Sequence, residues 1–567
     1  MARKKKRKKG FKFLLGFIGI LFAAFMIKIY MPNFTVVPAY KMFSGFGQEE
    51  TGVVLGKEII VMEYGPQVIE GEIFLPFDFA KQYIDPYLFW DEEAEKLTIT
   101  TQNKVIRMQT DALTYYVNQE PLTLNMPLRK FGDMAYIPFS FLKNLFNVEA
   151  CYNEENNIVI MDYTTEIKTT GEILSKNAPI RYEANIKSPI LKKLIQGDKV
   201  RIFEESEDWL LVRSEDGVIG YMAKKHIGNV EEMEGQPVAQ EEEKPSWKPV
   251  KGKINLVWDQ VFKVESSEVP SKFEPIKGLD VLSPSWFEIE NEKGDLKNIA
   301  SEKYVNWAHS KGYQVWAMIT NPFNDPDLTH KVLKDTNSRE NIIKQLLAFS
   351  SLYNLDGINI DFESLKQETG EYYLQFIREL APLLKEQGLV VSVDMYVPSG
   401  WTRHYNRSEV GKVVDYIMVM AYDEHWSTSP TSGSVASIGW VEQGIKNTLE
   451  EVPAEKVLLG LPYYTRLWEE EEVDGEIKVS SKAYGMSRGE SILKERDIEP
   501  QWLDEIGQYY GEFKEDHKTY KIWLEEERSI EEKVKLVNKY NLAGVAGWKR
   551  GLEKKEIWDI LFKYLKE

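Results

Sequence analysis

Asp356-Gly-Ile-Asn-Ile-Asp-Phe-Glu363 reads as a strand with two unlike faces. Side chains alternate across a strand, so Asn359, Asp361 and Glu363 share one face while Ile358, Ile360 and Phe362 share the other. Both faces ask for cover. The apolar face calls for a layer of helices, and the acidic face for a barrel interior near its C-terminal mouth, where such barrels place their chemistry. A solvated edge strand would not carry so apolar an alternate face. Acids buried in a row cost several kcal/mol unless they are paired or protonated, which points to function.

Working outward, Tyr373, Phe376, Ile377, Leu380, Leu383 and Leu384 recur at helical spacing, and Gly388 can end that helix. Strand-like runs alternate with helical patterns across residues 253 to 567: INLVWDQ, LDVLSPSWF, YQVWAMIT, DGINIDFES, LVVSVDMYV, VDYIMVMAYD, VLLGLPYY and LAGVAGW. This alternation predicts an α/β fold, a C-terminal (β/α)8 TIM barrel, with an insertion from Trp468 to about Tyr520 between the last two runs. A doubly wound open sheet is the competing architecture, but no glycine-rich phosphate loop follows the first run.

The chain has 567 residues and a formal charge of -18, which averages two unlike parts. Eight basic residues (Arg3, Lys4, Lys5, Lys6, Arg7, Lys8, Lys9, Lys12) crowd the N-terminus, and no acid precedes Glu49; without those eight of the 71 basic residues, the 89 acidic ones leave -26. A body so acidic repels a phosphate backbone, which excludes nucleic acid as its partner. Phe13 to Ile27 is an unbroken apolar run, close to the ~20 residues that cross a bilayer. We therefore expect residues 1–32 to be a cytoplasmic basic arm and single transmembrane helix, with the rest extracellular by the positive-inside rule. A cleaved signal sequence is the alternative, although no small-x-small site follows the run.

LPFDFAKQY at Leu75–Tyr83 matches IPFSFLKNL at Ile137–Leu145, and each copy leads into a Glu-rich turn and an apolar strand, FWDEEAEKLTI and CYNEENNIVI. Residues 52–163 are accordingly a small α+β repeat domain that resembles the copper amine oxidase N-terminal-like module, a stalk of cell-surface proteins. Copper is not expected, because the first histidine of the chain is His226. Residues 166–228, with GDKV, Trp209 and DGVIGYM, resemble a bacterial SH3-like β-barrel that would contact cell-wall peptides or merely pack against its neighbours. Residues 229–252 read as an acidic linker. Cys151 is the single cysteine, so no intramolecular disulfide forms, and the six histidines show no metal-ligand spacing.

Asp361 and Glu363 lie about 6.6 Å apart along the strand, close enough to couple. An ionised Asp361 would hold Glu363 protonated near neutrality, ready to donate to a leaving oxygen. This is the general-acid half of glycoside hydrolysis; the motif holds no second carboxylate placed to act as nucleophile or base.

Together with SPSWF (283–287), MAYD (420–423), GLPYYTRLW (460–468) and GVAGW (544–548), the motif resembles the family 18 glycoside hydrolases, the chitinase family, and within it the spore-germination and cell-wall branch of Gram-positive bacteria. The resemblance spans residues 253–567. It implies that Glu363 protonates the glycosidic oxygen and then activates water, that Asp361 orients the substrate's N-acetyl group as that group attacks the anomeric carbon, and that Tyr422 donates to the same group. Asp423 and Arg466 would hold sugar hydroxyls, Trp548 would floor the site, and Met420, Asp356 and Asn359 would complete the substrate-binding set. No cofactor is implied. Many chitinases carry a third aspartate where this chain has Asn359, which cannot share a proton with Asp361, so the expectation is a simpler pH profile. The expected function is cleavage of β-1,4-linked N-acetylglucosamine polymers, peptidoglycan or chitin-like, with retention. The alternative is a non-catalytic glycan-binding surface protein, which the presence of Glu363 disfavours.

Overall fold

The computed structural model describes residues 3–38, 41, 51–238, 246–267 and 274–567. The described residues fall into two compact units: 1–88, 108–115 and 123–240 form one, and 89–107, 116–122 and 241–567 the other.

The second unit is built on a closed parallel barrel. Its strands are β1 (Ile254–Asp259), β2 (Val281–Ile289), β3 (Gln314–Thr320), β4 (Gly357–Asp361), β5 (Val390–Tyr396), β6 (Tyr416–Met420), β7 (Val457–Pro462) and β8 (Gly544–Trp548). β8 pairs with β1, and β1 with β2, which closes the ring. These eight strands are the eight runs read from the sequence. Alternation sorts their side chains as expected. Ile358 and Ile360 of β4 join the apolar layer under the helices, with Phe376, Ile377 and Leu380 of the helix Gly370–Glu386. Inside the barrel, Leu256, Trp258, Trp316, Met318, Tyr416, Met418 and Leu458 pack against one another. Trp247 meets Trp316 edge-on at 5.8 Å between ring centroids.

Between β7 and β8 the insertion forms its own five-stranded sheet, starting at Tyr464 and ending at Leu524, a few residues beyond both expected limits. Ile492, Leu493, Ile522 and Leu524 form its core.

A hairpin from the repeat segment (Phe89–Asp91 paired with Lys96–Thr100) also belongs to this unit. Asp91 Oδ2 accepts from the backbone N of Thr336 at 3.0 Å, and Arg378 donates to the carbonyl and hydroxyl of Thr100 at 3.0 Å. Val105 is part of the barrel's helix-layer core.

In the first unit the two repeat copies pair with each other: Tyr136, Ile137 and Pro138 run antiparallel to Pro76, Leu75 and Phe74, and each proline caps the short helix that follows. Pro suits that place because it gives up no helical hydrogen bond. The SH3-like segment forms a seven-stranded sheet that runs on through Met233, into the stretch read as linker. Residues 239–245 of that stretch lie outside the described residues. The chain just beyond the N-terminal helix lies beside the same sheet. Val37 N donates to the Ile190 carbonyl at 2.8 Å, and Ile190 N to the Thr35 carbonyl at 2.9 Å. The helix itself spans Arg3–Tyr30, and its Lys12–Tyr30 portion has a mean hydropathy of 2.2 with none of it buried.

Candidate active site

A cavity of about 1010 Å³ opens at the C-terminal ends of the barrel strands. Asp361, Glu363, Met420, Tyr422, Asp423 and Trp548 line it together, so six of the nine residues singled out by sequence converge on one site. The others sit elsewhere. Asp356 precedes β4 at the opposite end of the barrel, where its Oδ2 meets His309 Nε2 at 2.8 Å and accepts from Val315 N at 2.8 Å. Being five residues before Asp361 places it roughly 17 Å away along the strand, too far to touch a sugar in the cavity. Asn359 is sealed inside the barrel beneath the cavity. Arg466 does not line the cavity either; its Nη2 lies 3.4 Å from Asp423 Oδ1.

Glu363 sits just past β4 and is held by its backbone. Asn321, buried at the end of β3, accepts from Glu363 N at 2.8 Å and donates to the Glu363 carbonyl at 2.9 Å. Thr329 Oγ1 holds the same Asn321 amide at 3.0 Å. The next residue, Ser364, turns the chain away with φ at 55°. The carboxyl then accepts from Tyr396 Oη at 2.5 Å. Burial pushes the Glu363 carboxyl above its ordinary range, and although the Tyr396 hydroxyl counters this, the nearby Asp423 charge adds to it. The result is a carboxyl whose acid form is favoured by its burial, facing a cavity.

The sequence reading had an ionised Asp361 cause that rise. Instead Asp361 is the more deeply buried of the two, 4% exposed, and its Oδ1 has no hydrogen-bond partner among the described residues. Burial, then the charges of Glu363 and Asp394, push its own carboxyl well above the usual range.

Asp394 is the residue the sequence reading missed. It lies on β5, lines the cavity, and is 2% exposed. Asn359 Nδ2 donates to its Oδ2 at 2.7 Å, while Ser392 Oγ donates to Asn359 Oδ1 at 2.7 Å, which fixes the amide's orientation. Burial raises the Asp394 carboxyl well above its ordinary range, despite the Asn359 hydrogen bond and with the charge of Glu363 adding to the rise. A third buried carboxyl therefore stands beside Asp361 and Glu363, supplied by the neighbouring strand rather than by position 359. Its signal was readable, because Ser392, Asp394 and Tyr396 alternate on one face of β5 as Asn359, Asp361 and Glu363 do along β4 and just past it.

Beyond β6, half-buried Tyr422 packs against Tyr464, with ring centroids 6.3 Å apart, and the burial of its hydroxyl lifts that group well above the usual tyrosine range, so it remains a donor. Asp423 adopts a left-handed conformation, φ 58°, and accepts from Tyr464 Oη at 2.6 Å. Trp548 meets Trp258 at 5.9 Å between ring centroids on the cavity floor. At the rim, Trp401 and Trp426 stand 64% and 50% exposed. Exposed rings beside a polar cleft suit the apolar faces of sugars.

Three sequence families match the chain: Glycosyl hydrolases family 18 over residues 266–553, Copper amine oxidase N-terminal domain over 53–161, and Bacterial SH3 domain over 176–228. Among curated proteins it is similar to the uncharacterized glycosylase YvbX of Bacillus subtilis (strain 168), 27% identical over 301 residues, 50% of this chain and 84% of that one. It is also similar to the cortical fragment-lytic enzyme of the same strain, 26% identical over 247 residues, 42% of this chain and 56% of that protein's length. The fold resembles the Bacillus cereus spore cortex-lytic enzyme SleL, with a TM-score of 0.50 and 22% identity over 59% of this chain and 78% of that one.

Proposed function

The chain belongs to glycosyl hydrolase family 18, and from that premise we propose that it cleaves β-1,4-linked N-acetylglucosamine polymers of the peptidoglycan or chitin type, by a retaining route in which the substrate's own acetamido group is the nucleophile. The observation that carries this reading is the convergence of Glu363, Asp361 and Tyr422 in one cavity at the barrel mouth. Glu363, protonated and anchored through Asn321, gives its proton to the leaving oxygen and then takes one from the incoming water. Asp361 Oδ1, buried without a partner among the described residues, is an acceptor for the acetamido N–H. Tyr422 donates from the other side of the same group. Trp548 and Trp258 supply the apolar floor.

The helix Lys12–Tyr30 anchors the protein in a membrane with the barrel outside, as its length, hydropathy and exposure support. The relatives named for cortical fragments and spore cortex favour cell-wall glycan over chitin as the substrate. The full chain, incubated with purified peptidoglycan and with chitin oligomers, should release reducing ends from at least one of them, and Glu363→Gln should release none above background. Equal release by the two proteins refutes the assignment.

A further inference from the structure

β4 and β5 run parallel with Asn359 opposite Ser392 and Ile360 opposite Val393. One step further along each strand stand Asp361 and Asp394, on the interior face, about 4.8 Å apart between backbones as neighbouring strands are. Both are sealed from solvent, and each keeps one carboxyl oxygen, Oδ1, with no closed hydrogen bond among the described residues, the Trp258 indole N–H lying near enough to favour a charged Asp394. We propose that Asp394 is a positioning residue for Asp361, the two carboxyls holding one proton between them.

The physical case starts from what surrounds the pair. Among the described residues, the groups that face Asp394 are Asp361 and Glu363 from β4 and its following loop, Asn359 of β4, Trp258 of β1, Tyr422 beyond β6 and Tyr373 of the helix Gly370–Glu386. None is a cation. Two carboxylates side by side without a counter-ion cannot both ionise in a dry site, because their repulsion adds to the loss of hydration. Nor is a fully protonated pair favoured once one proton can bridge two unpartnered oxygens. The stable form is a monoanion in which the proton bonds one Oδ1 and is accepted by the other. Asn359 gives the arrangement a direction: its amide donates to Asp394 Oδ2, so Oδ1 is the oxygen left to share a proton. When a donor on the substrate reaches Asp361, the proton stays with Asp394, Asp361 becomes a full acceptor, and no proton is gained or lost by the pair.

The rate consequence rests on the glycosidase reading above, but the proton sharing does not, and it is measured without substrate. In the full chain carrying Glu363→Gln, which removes the third carboxyl, carbon NMR of labelled aspartate should show Asp361 and Asp394 titrating together in two separated steps, each signal moving in both. In that background Asp394→Asn should leave Asp361 with a single step lying between those two, and Asp361→Asn should do the same for Asp394. Either variant suffices if the other does not fold. Independent single-step titrations, unchanged when the neighbour is removed, overturn the proposal. In the otherwise wild-type chain, Asp394→Asn should move the acid limb of kcat up by about one pH unit, because the pair's first proton leaves at lower pH than the proton of a lone buried Asp361, with KM changed less than about threefold. A drop that is equal at every pH marks a purely structural residue and also overturns it.

Discussion

Glu379 and Asp361 are both carboxyls sealed inside the barrel unit, and they are treated in opposite ways. Around Glu379, Arg339 donates at 3.1 Å through Nε, Arg107 at 3.0 Å through Nη2 and Gln375 at 2.9 Å. Burial alone would raise its carboxyl, but the two guanidiniums and the amide outweigh it and hold Glu379 below the usual range. Asp361, Asp394 and Glu363 have no lysine, arginine or histidine paired to them among the described residues, and burial raises all three. A carboxyl that serves the fold is neutralised by partners. The carboxyls proposed to act on substrate are left without a counter-charge, which favours a proton or an open lone pair facing the cavity.

The comparison breaks first, and most strongly, at the acid itself. Glu363→Gln should lower kcat about a thousandfold or more while thermal unfolding is unchanged or occurs at a higher temperature, since the group removed contributes no ion pair. Glu379→Gln should do the reverse: Arg339 and Arg107 are left as buried charges without their carboxylate, at about 3–5 kcal/mol of stability by chemical denaturation, with kcat per folded molecule within about twofold. A fall in kcat for Glu379→Gln at full stability would erase the distinction between the two sets.

Next comes the support of the acid. Asn321→Ala removes both hydrogen bonds to the Glu363 backbone and should lower kcat roughly ten- to a hundredfold with KM nearly unchanged, because a general acid shifted by about 1 Å misses the leaving oxygen.

The smallest effect is on stability and is read from its pH dependence. Asp361 is raised in the folded state, so its contribution is fully present below the unfolded pKa of about 3.9 and is lost as pH rises through the folded value. Asp361→Asn should therefore raise Tm by about 2–4 °C at neutral pH and by nothing at acid pH. Glu379, held low, behaves oppositely: its contribution is present above the unfolded pKa of about 4.3 and is lost as pH falls through the folded value. Glu379→Gln should then destabilise less as the pH is lowered.

How much of this was legible in the sequence follows the range of each interaction. The barrel strands were readable because each is an apolar run bounded by helical patterns, and Asp361 and Glu363 because their own strand alternates. Asp394 and Tyr396 carry the same alternation in LVVSVDMYV, but their role depends on register with β4, which no local pattern encodes. Asp356 shares the motif with Asp361 yet lies at the other end of the strand, so proximity in sequence misplaced it. Arg107, 272 residues from Glu379, left no sequence signal at all.

In the proposed mechanism the uncompensated carboxyls cleave a glycan with help from its own acetamido group. Time-resolved proton NMR of the wild-type chain acting on N-acetylglucosamine oligomers tests it most directly. The first product should appear as the β-anomer, before mutarotation, and should be missing with Glu363→Gln. A first product in the α-anomer, or product formed equally by the variant, contradicts it.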